Sequence, residues 1–482
     1  MSNFNNYFIP APKTRPLFNV GCLLDVPTGR LTRGKRGETI INGGLPYVTG
    51  VIGKGNTFKS VFGNFFMLTV LDRYSSSKAI EYDTEASATL ARTLQLALRM
   101  PNIAGVDIEK EGRFFLTDNT VMAGDEFFDQ LKDMCEAHIK EHKTTKSLMK
   151  TLPFVDEDGN LIQIPSPLIN FTDSFSMFST SKVQKIYDDN KLGDGAANTD
   201  ALRSAAHKTQ MLMQIPTLTG QASLFMIMTA HVGKQHQLDA YAPPDQKLRF
   251  LKNASIKNVP EKFTFLTNNL WYVYQSNVLQ NRGTKAPEYP RDSNDNMEGD
   301  TDLMTITVQN LRGKNGPTGM PFDIVLSQRE GFLVGLTEFH FLKSNDRYGI
   351  SGNDRTYSLD LLPDVNLSRT TVRSKIDDNP QLQRVLQISS EMLQMQQIWD
   401  DPEGVFCTPK ELYEDLKSMG YDWNVLLNTR SYWVFEEEEK NEKPFLSTYD
   451  LLRMRKGLYI PYFLTKEQKA TIKTPENKDS VK

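Results

Sequence analysis

Short apolar runs alternate with longer amphipathic stretches between residues 45 and 274, and this alternation constrains the fold more than any other feature. The apolar runs are Tyr47–Ile52, Ala79–Tyr82, Leu168–Phe171, Leu224–Met228 and Trp271–Tyr274. The helix-like stretches between them are Lys59–Tyr74, Ala86–Arg99, Asp125–His142 and Asp200–Met213. Short hydrophobic strands separated by helices are typical of a parallel sheet with helices on both faces. The sequence therefore predicts an α/β core with a mainly parallel sheet.

Changes in composition divide the rest of the chain. At 482 residues, and with about 150 residues to a domain, two or three domains are expected. Residues 1–40 are polar and contain several prolines, which indicates an N-terminal oligomerisation arm rather than an independent fold. Residues 41–345 form the predicted core, and residues 346–464 a smaller, largely helical C-terminal accessory domain. Residues 465–482 are expected to be a disordered tail.

Local patterns predict further elements outside the alternating region. Residues 143–166 contain an Asp-Gly turn and predict a surface hairpin. Asp302–Val308 and Pro321–Leu326 are expected to be antiparallel strands joined through the turn Gly313–Gly319. Three helices are predicted in the C-terminal part: Gln381–Trp399, Glu411–Met419 and Thr448–Arg455.

Charge and residue usage exclude several classes of protein. The 56 lysines and arginines nearly balance the 59 acidic residues, so the net charge of −3 excludes a uniformly basic nucleic-acid binder. The longest apolar run, Leu224–Met228, is far shorter than the roughly 20 residues of a transmembrane helix. Cys22, Cys135 and Cys407 are widely spaced and odd in number, which fits a reducing compartment. We therefore expect a cytoplasmic protein with no membrane partner.

A loop of small residues follows the first apolar run and leads directly into a helix-like stretch. The loop residues are Gly53, Lys54, Gly55, Asn56, Thr57, Phe58, Lys59 and Ser60. They fit the pattern G-x-x-x-x-G-K-[ST], except that Phe58 replaces the second glycine. In such a strand, loop and helix, backbone N–H groups face an anion, Lys59 reaches the β- and γ-phosphates, and the Ser60 hydroxyl binds Mg²⁺. The loop predicts a nucleotide site; a chance turn with an exposed lysine is the alternative.

Polar residues follow the next three predicted strands. Glu85 follows the second strand, Asp173 the third and His231 the fourth. A carboxylate beside the phosphates can orient and deprotonate the attacking water, which suits Glu85. Asp173 is placed to hold Mg²⁺ through water, and His231 to sense the γ-phosphate. Each alone would be an ordinary polar residue, but together they converge on the edge where ligands bind in parallel sheets.

These motifs resemble the RecA family, and most of all the phage UvsX-type recombinases. The resemblance rests on Gly53–Ser60 with its Phe-Lys-Ser ending, on Tyr82–Glu85, on Asn170–Ser174 and on the segment from Gly193 to His231. UvsX-type loops also have phenylalanine before the Lys-Ser pair. The similarity covers roughly residues 17–333. It implies a RecA-like P-loop ATPase core with ATP and Mg²⁺ as cofactors.

The resemblance also implies roles for single residues. Lys59 and Ser60 would bind ATP–Mg²⁺, and Glu85 would be the catalytic carboxylate. Asp173 would be the Walker B acid, which holds Mg²⁺ through water. His231 would act in catalysis by coupling the γ-phosphate to DNA binding; UvsX-type proteins also have histidine there, whereas RecA has glutamine.

Two segments correspond to the mobile DNA-binding loops of the family, Thr180–Thr199 and Gly233–Lys262. The predicted DNA-binding cations of the second segment are Lys234, Lys247, Arg249, Lys252, Lys257 and Lys262. Tyr241 and Phe250 lie among them, and cations for phosphates with rings for stacking suit single-stranded DNA. A solvated polar loop remains the alternative, because the excess of positive charge is modest.

Further residues bear on self-association. Arg312 and Lys314 follow a predicted strand, and the resemblance implies that basic residues near here reach the ATP bound to a neighbouring subunit. Phe8–Ala11 in the arm fits the Phe-x-x-Ala pattern by which related recombinases dock onto the next subunit.

The resemblance as a whole implies an ATP-dependent recombinase that forms filaments on single-stranded DNA and promotes homologous pairing and strand exchange. Its partners would be single- and double-stranded DNA, further copies of itself in a filament or a ring, and a recombination mediator or single-strand-binding protein. If the chain is phage-encoded, it would act in the host cytoplasm. Two alternatives stay open: a hexameric RecA-fold replicative helicase, and a RecA-like DNA-scaffolding protein without turnover.

Overall fold

The computed structural model of the protein describes residues 14–21, 23–156, 158–181, 196–234, 248–251, 254–292 and 294–473. The strands are β1 (Arg30–Arg33), β2 (Thr39–Asn42), β3 (Val48–Gly53), β4 (Lys78–Asp83), β5 (Phe114–Asp118), β6 (Met149–Val155), β7 (Leu161–Pro165), β8 (Leu168–Asp173), β9 (Leu224–Lys234), β10 (Ala254–Ile256), β11 (Asn269–Val278), β12 (Leu303–Gly313), β13 (Pro321–Ser327), β14 (Gly331–Phe332), β15 (Ile350–Asn353), β16 (Thr356–Leu359) and β17 (Leu362–Leu367). The helices are α1 (Asp25–Thr28), α2 (Lys59–Arg73), α3 (Leu90–Ala97), α4 (Gly124–Thr144), α5 (Ala196–Ala222), α6 (Lys262–Leu266), α7 (Val334–Ser344), α8 (Val372–Asp378), α9 (Pro380–Ile398), α10 (Pro409–Ser418), α11 (Trp423–Leu427), α12 (Thr448–Arg455) and α13 (Lys466–Ala470).

A large, mostly parallel sheet forms the centre of the fold. Its strands follow the spatial order β14-β13-β12-β11-β3-β9-β8-β4-β5, with β10 paired to β9 outside this path. The strands from β11 across to β5 are parallel to their neighbours, whereas β12, β13 and β14 continue the sheet in antiparallel fashion. The predicted α/β class, with a mainly parallel sheet flanked by helices, is confirmed.

Sequence patterns located most of these strands correctly. Four of the five apolar runs lie within one strand of the parallel region, β4, β8, β9 or β11, and the fifth begins one residue before β3. Strand β3 is buried along its whole length, as expected for a strand covered on both faces. The predicted antiparallel pair is β12 and β13, and the predicted hairpin is β6 and β7.

Several parts of the architecture were not predicted. Strand β5 lies at an edge of the sheet, leaves Phe115 57% exposed and has only a short apolar stretch, Phe114–Leu116. The C-terminal part has the three predicted helices, as α9, α10 and α12, but also a small antiparallel sheet of β15, β16 and β17. Helix α13 lies in the segment expected to be a disordered tail, and Thr465 and Gln468 cap it reciprocally.

Helices cover both faces of the sheet. On one face, α2, α7 and the C-terminal helices bury a cluster that includes Phe66, Trp271 and Leu386. On the other face, α4 and α5 bury a second cluster that includes Phe128 and Leu212. Among the described helices, none combines the length and the apolar character needed to cross a membrane.

The described residues of the predicted arm pack against their own molecule. The ring centre of Phe18 lies 4.4 Å from that of Phe225 in β9 and 5.2 Å from that of Trp433. Arg36 forms an ion pair with Glu439 at 2.8 Å. This segment therefore joins the central sheet to the C-terminal part. Docking of the arm on another copy stays a prediction.

Candidate nucleotide-binding site

Polar residues at the carboxyl ends of four parallel strands lie next to one another, along what we call the site edge of the sheet. Gly53 at the end of β3 pairs with His231 in β9, and Asp83 at the end of β4 pairs with Asp173 at the end of β8. Strands β8 and β9 are themselves neighbours. The loop that follows β3 and the polar residues that follow the other three strands therefore lie side by side, as expected from the sequence.

The loop between β3 and α2 turns through two residues in the left-handed conformation. The φ angles of Asn56 and Phe58 are 57° and 60°. Where residues in the left-handed conformation alternate with residues in the right-handed one, successive backbone N–H groups point into a concavity that binds anions. A Cβ atom at Gly53 would lie 2.6 Å from the carbonyl oxygen of Val273, so only glycine fits there. Phe58 occupies a conformation that glycine adopts freely, at a cost of roughly 1–2 kcal/mol for a residue with a side chain.

The N-terminus of α2 is open to an anion. No side chain caps this helix, and its first turn contains no acidic residue, so the backbone N–H groups of that turn are not taken up by a side chain of the helix itself. The buried Nζ of Lys59 donates a hydrogen bond to the carbonyl oxygen of Lys54 at 2.7 Å. Burial lowers the pKa of Lys59, whereas the nearby Asp173 and Glu85 carboxylates act in the opposite direction. A desolvated ammonium at this point would be stabilised strongly by a phosphate.

Asp173 is a buried carboxylate beside the first turn of α2. It accepts hydrogen bonds from the hydroxyl groups of Ser60 and of Thr229 in β9. Burial raises the pKa of Asp173, against the effect of these two hydrogen bonds. A carboxylate and a serine hydroxyl in contact are oxygen ligands of the kind that Mg²⁺ prefers. Thr229 was not identified from the sequence, because nothing in an apolar strand marks which residue faces a carboxylate on its neighbour.

Asp83 shapes the turn that carries Glu85. Its carboxylate accepts hydrogen bonds from the backbone N–H groups of Glu85, at 2.8 Å, and of Ser87 and Ala88. The following residue, Thr84, donates its backbone N–H to the carbonyl oxygen of Asp173 at 2.7 Å. Asp83 is therefore a structural residue of the site, and Glu85 is the carboxylate left facing the loop.

Glu85 and His231 are in direct contact. The Nε2 of His231 lies 2.9 Å from Oε1 of Glu85, a hydrogen bond in which the ring N–H donates to the carboxylate. The side chain of His231 is 32% exposed and that of Glu85 is 41% exposed, so the pair is accessible to solvent at the carboxyl ends of the strands. The backbone N–H of His231 donates to the hydroxyl of Ser176 at 2.8 Å. The sequence placed both residues at this edge, and the structure shows that they touch.

The donors at this edge fit a nucleoside triphosphate with Mg²⁺. The concave loop, the uncapped helix and Lys59 supply hydrogen bonds and positive charge for the phosphates. The described residues contain no cluster of three or more histidine, cysteine or acidic side chains that forms a metal cage of its own. Mg²⁺ is usually held by one or two protein oxygens together with substrate phosphates and water, and Ser60 and Asp173 match that pattern.

Four of the six predicted DNA-binding cations lie on described parts of the second loop segment, namely Lys234, Arg249, Lys257 and Lys262. Lys234 is the last residue of β9, and its carbonyl oxygen accepts a hydrogen bond from Nζ of Lys257 at 2.7 Å. Lys257 follows β10, which pairs with the end of β9 beyond His231. Lys262 is exposed and is the first residue of α6, the helix that follows β10 in the chain.

Other parts of the predicted loops are described only in part. The guanidinium of Arg249 lies 5.5 Å from the ring centre of Phe250. Lys247 and Lys252, together with residues 182–195 of the first predicted loop, lie outside the described residues. The structure therefore places some of the predicted cations near the end of β9 and leaves a role in DNA binding as a prediction.

The loop Gly53–Ser60, here called the phosphate loop, lies at the carboxyl ends of the parallel strands. Arg312 and Lys314 lie at the opposite end of these strands. Gly313 pairs with Asn269 at the start of β11, which runs parallel to β3, whereas the phosphate loop follows the end of β3. The Arg312 guanidinium packs 5.5 Å from the ring centre of Phe265. Burial and the neighbouring cations Arg312 and Arg15 lower the pKa of Lys314. These residues are too distant to act on the phosphate loop of their own molecule.

An apolar groove lies beside the edge strand β5. It has a volume of about 450 Å³, and its lining includes Ile80, Phe115, Phe127, Leu131 and Met134. Phe115 is the most exposed of these at 57%. A groove of this size accepts an aromatic side chain with its neighbours.

No protein-family model matches this chain, and no curated protein matches it significantly. The roles given to these residues therefore rest on the geometry of the site and on the motif resemblance.

Proposed function

We propose that this protein is an ATP-dependent DNA recombinase of the RecA family, most like the UvsX-type recombinases. It forms filaments on single-stranded DNA and promotes homologous pairing and strand exchange. The mostly parallel sheet with a phosphate loop after β3 is compatible with a RecA-like core. The proposed catalytic residues lie at the carboxyl ends of the parallel strands, and the basic residues Arg312 and Lys314 lie at the opposite end of the sheet. An enzyme whose ATP sites are shared between stacked subunits needs residues on both of these surfaces.

The contact between Glu85 and His231 is the observation that carries this proposal. Burial lowers the pKa of Lys59, and Glu85 is near enough for its charge to act in the opposite direction on that pKa. His231 lies on β9, which continues to Lys234 and pairs with β10 next to Lys257. The backbone of His231 accepts a hydrogen bond from the N–H of Lys257 at 2.8 Å. One histidine therefore contacts the predicted general base through its ring and the predicted DNA-binding segment through its backbone. A nucleotide enzyme regulated by DNA requires such a connection.

Each side chain of the site has a distinct task in ATP hydrolysis. The Glu85 carboxylate orients the attacking water and accepts its proton. Lys59 and the N–H groups at the start of α2 stabilise the negative charge that develops on the phosphates. Ser60 and, through water, Asp173 would hold Mg²⁺, which would supply positive charge to the phosphates. His231 holds Glu85 and transmits changes at the γ-phosphate to the segment around Lys257.

Assembly is proposed to be head to tail. A contact between different surfaces of identical subunits produces rings or helical filaments rather than closed dimers. Because Arg312 and Lys314 lie at the edge opposite the phosphate loop, stacking would bring them to the nucleotide of the next subunit. The groove beside β5 would receive Phe8–Ala11 from the arm of another copy, a segment outside the described residues.

The proposal is tested with a strand-exchange assay. Purified protein, ATP and Mg²⁺ are incubated with circular single-stranded DNA and linear duplex DNA that is either homologous or unrelated. We expect joint molecules only with homologous duplex and only with ATP, and filaments on the single strand by electron microscopy. The Lys59→Ala variant, which lacks the phosphate-binding ammonium, is the negative control.

Two other outcomes would support the alternatives. Unwinding of a forked duplex by ring-shaped particles, without strand exchange, would indicate a replicative helicase. DNA binding and filament formation with no ATP turnover, or with turnover that Lys59→Ala does not reduce, would indicate a scaffolding protein.

A further inference from the structure

Lys208 is a buried lysine that lies outside the proposed nucleotide site. It is on α5 and only 4% exposed. Its Nζ donates hydrogen bonds to the carbonyl oxygens of Asn258, at 3.0 Å, and Phe175, at 3.3 Å. It also lies 5.6 Å from the centre of the Phe175 ring. Burial lowers the pKa of Lys208 to about 8, and no charged side chain of the described residues adds to this effect.

The three segments that meet at this ammonium belong to different parts of the proposed mechanism. Phe175 is two residues after Asp173, at the exit of β8. Asn258 follows Lys257 at the end of the second predicted DNA loop and has a left-handed φ of 53°. Helix α5, which carries Lys208, follows the first predicted DNA loop. Lys208 therefore links the elements that return from both loops to the strand end that carries Asp173.

Further hydrogen bonds extend this link to the catalytic pair. The hydroxyl of Ser176 donates to the carbonyl oxygen of Lys257 at 2.8 Å and accepts the backbone N–H of His231 at 2.8 Å. The backbone N–H of Phe175 donates to the carbonyl oxygen of Thr229 at 2.8 Å. Movement of the Lys257–Asn258 turn therefore acts both on Lys208 and on the backbone of His231.

Burial of the Lys208 ammonium costs free energy, a cost with no benefit to the protein unless the hydrogen bonds of the ammonium have a function. Removing an ammonium from water is unfavourable, and two neutral carbonyl groups compensate it less than a carboxylate would. Replacement of buried charges by apolar side chains of similar size is often neutral or stabilising for a fold. An apolar chain of this length would fill the same space but would not hold the two carbonyl groups together.

We propose that Lys208 is the positioning residue that couples DNA binding at the two loops to the Glu85–His231 pair. Its ammonium fixes the Lys257–Asn258 turn against Phe175 and Ser176, so the DNA segment and the strand ends move as one unit. This inference rests on the proposed function and concerns the communication between its two sites.

The test compares Lys208→Met with the unaltered protein and with Lys140→Met, which removes an exposed lysine from α4. The measured quantity is the ratio of single-stranded DNA affinities with a non-hydrolysable ATP analogue and with ADP. We expect the ratio to fall at least ten-fold in Lys208→Met and to stay unchanged in Lys140→Met. We also expect the midpoint of thermal unfolding of Lys208→Met to be unchanged or higher, whereas a merely structural role predicts a lower midpoint with the ratio preserved.

A second variant covers the case in which Lys208→Met does not fold. Lys208→Gln is one atom shorter and keeps uncharged N–H donors, so we expect an intermediate ratio. A ratio equal to that of the unaltered protein in a folded Lys208 variant overturns the inference. If the unaltered protein shows no nucleotide-dependent DNA affinity, the proposed function itself is overturned, and the inference with it.

Discussion

The ring of His231 contacts the carboxylate of Glu85 at 2.9 Å, although the two residues are 146 positions apart in the chain. Glu85 lies in the turn after β4, and His231 lies near the end of β9, with β8 between the two strands in the sheet. The side chains therefore reach across the end of β8, the strand whose last residue is Asp173. This relationship places a candidate general base, a candidate metal ligand and a candidate sensor within one small region.

The first prediction concerns Glu85 itself. Glu85→Gln keeps the size of the side chain and a hydrogen-bonding oxygen for His231, but it cannot accept a proton from water. We expect ATP binding to be retained and turnover to fall by about 10²–10⁴-fold, with filaments locked on DNA. Steady-state hydrolysis and nucleotide binding would be measured beside Glu136→Gln, an exposed residue of α4. Normal turnover in Glu85→Gln would refute the assignment of the general base.

The second prediction concerns the coupling role of His231. Removal of the ring in His231→Ala frees Glu85 and breaks the side-chain connection between the turn after β4 and β9. We expect the ratio of turnover with DNA to turnover without DNA to fall close to one. His231→Gln keeps an N–H donor and should preserve much of that ratio. Equal stimulation in all three proteins would show that DNA acts by another route.

The third prediction tests the division of the active site between subunits. Lys59→Ala lacks a working phosphate loop, and the double variant Arg312→Ala, Lys314→Ala lacks the cations of the opposite edge. Each alone should have little DNA-stimulated turnover. In an equal mixture, about a quarter of head-to-tail contacts would pair an intact loop with an intact cationic edge, so turnover should recover toward that fraction. A mixture no more active than its components would place both sets of residues outside a shared site.

The fourth prediction concerns the groove beside β5. Phe115→Asp places a charge on an exposed part of the groove, so the fold should tolerate it while an apolar segment from another copy should not bind. We expect shorter filaments by electron microscopy and a smaller mass by light scattering, with an unchanged unfolding midpoint. Leu458→Asp introduces the same charge at another exposed apolar residue and serves as the control. Filaments of normal length in Phe115→Asp would remove the groove from the assembly contact.

Sequence patterns identified the strands of the parallel region because these buried strands are mostly apolar, although Glu81 and Asn170 interrupt two of the runs. They also placed Glu85, Asp173 and His231 at one edge, since the ends of parallel strands necessarily meet. Strand β5 escaped prediction because its apolar stretch, Phe114–Leu116, is only three residues long, and Phe115 is exposed at the edge of the sheet. The contacts of Thr229 and Lys208 escaped it because they depend on which way a side chain points between neighbouring elements.

Phe58 illustrates a further limit of sequence patterns. The residue departs from the phosphate-loop pattern, yet its φ of 60° is in the left-handed region that glycine usually occupies at that point. The backbone therefore keeps the shape that the pattern encodes, and only the side chain differs. A pattern of residue types records the usual way to obtain a conformation, whereas the conformation itself determines whether N–H groups face a phosphate.

The most direct test of the account is the rate of ATP hydrolysis with and without single-stranded DNA, in the unaltered protein and in Lys59→Ala. The geometry connects Glu85 through His231 to the segment around Lys257, so DNA should raise the turnover of the unaltered protein. Lys59→Ala should be inactive under both conditions, because its helix N-terminus lacks the ammonium that holds the phosphates. Turnover that is absent, that does not respond to DNA or that persists in Lys59→Ala would contradict the account.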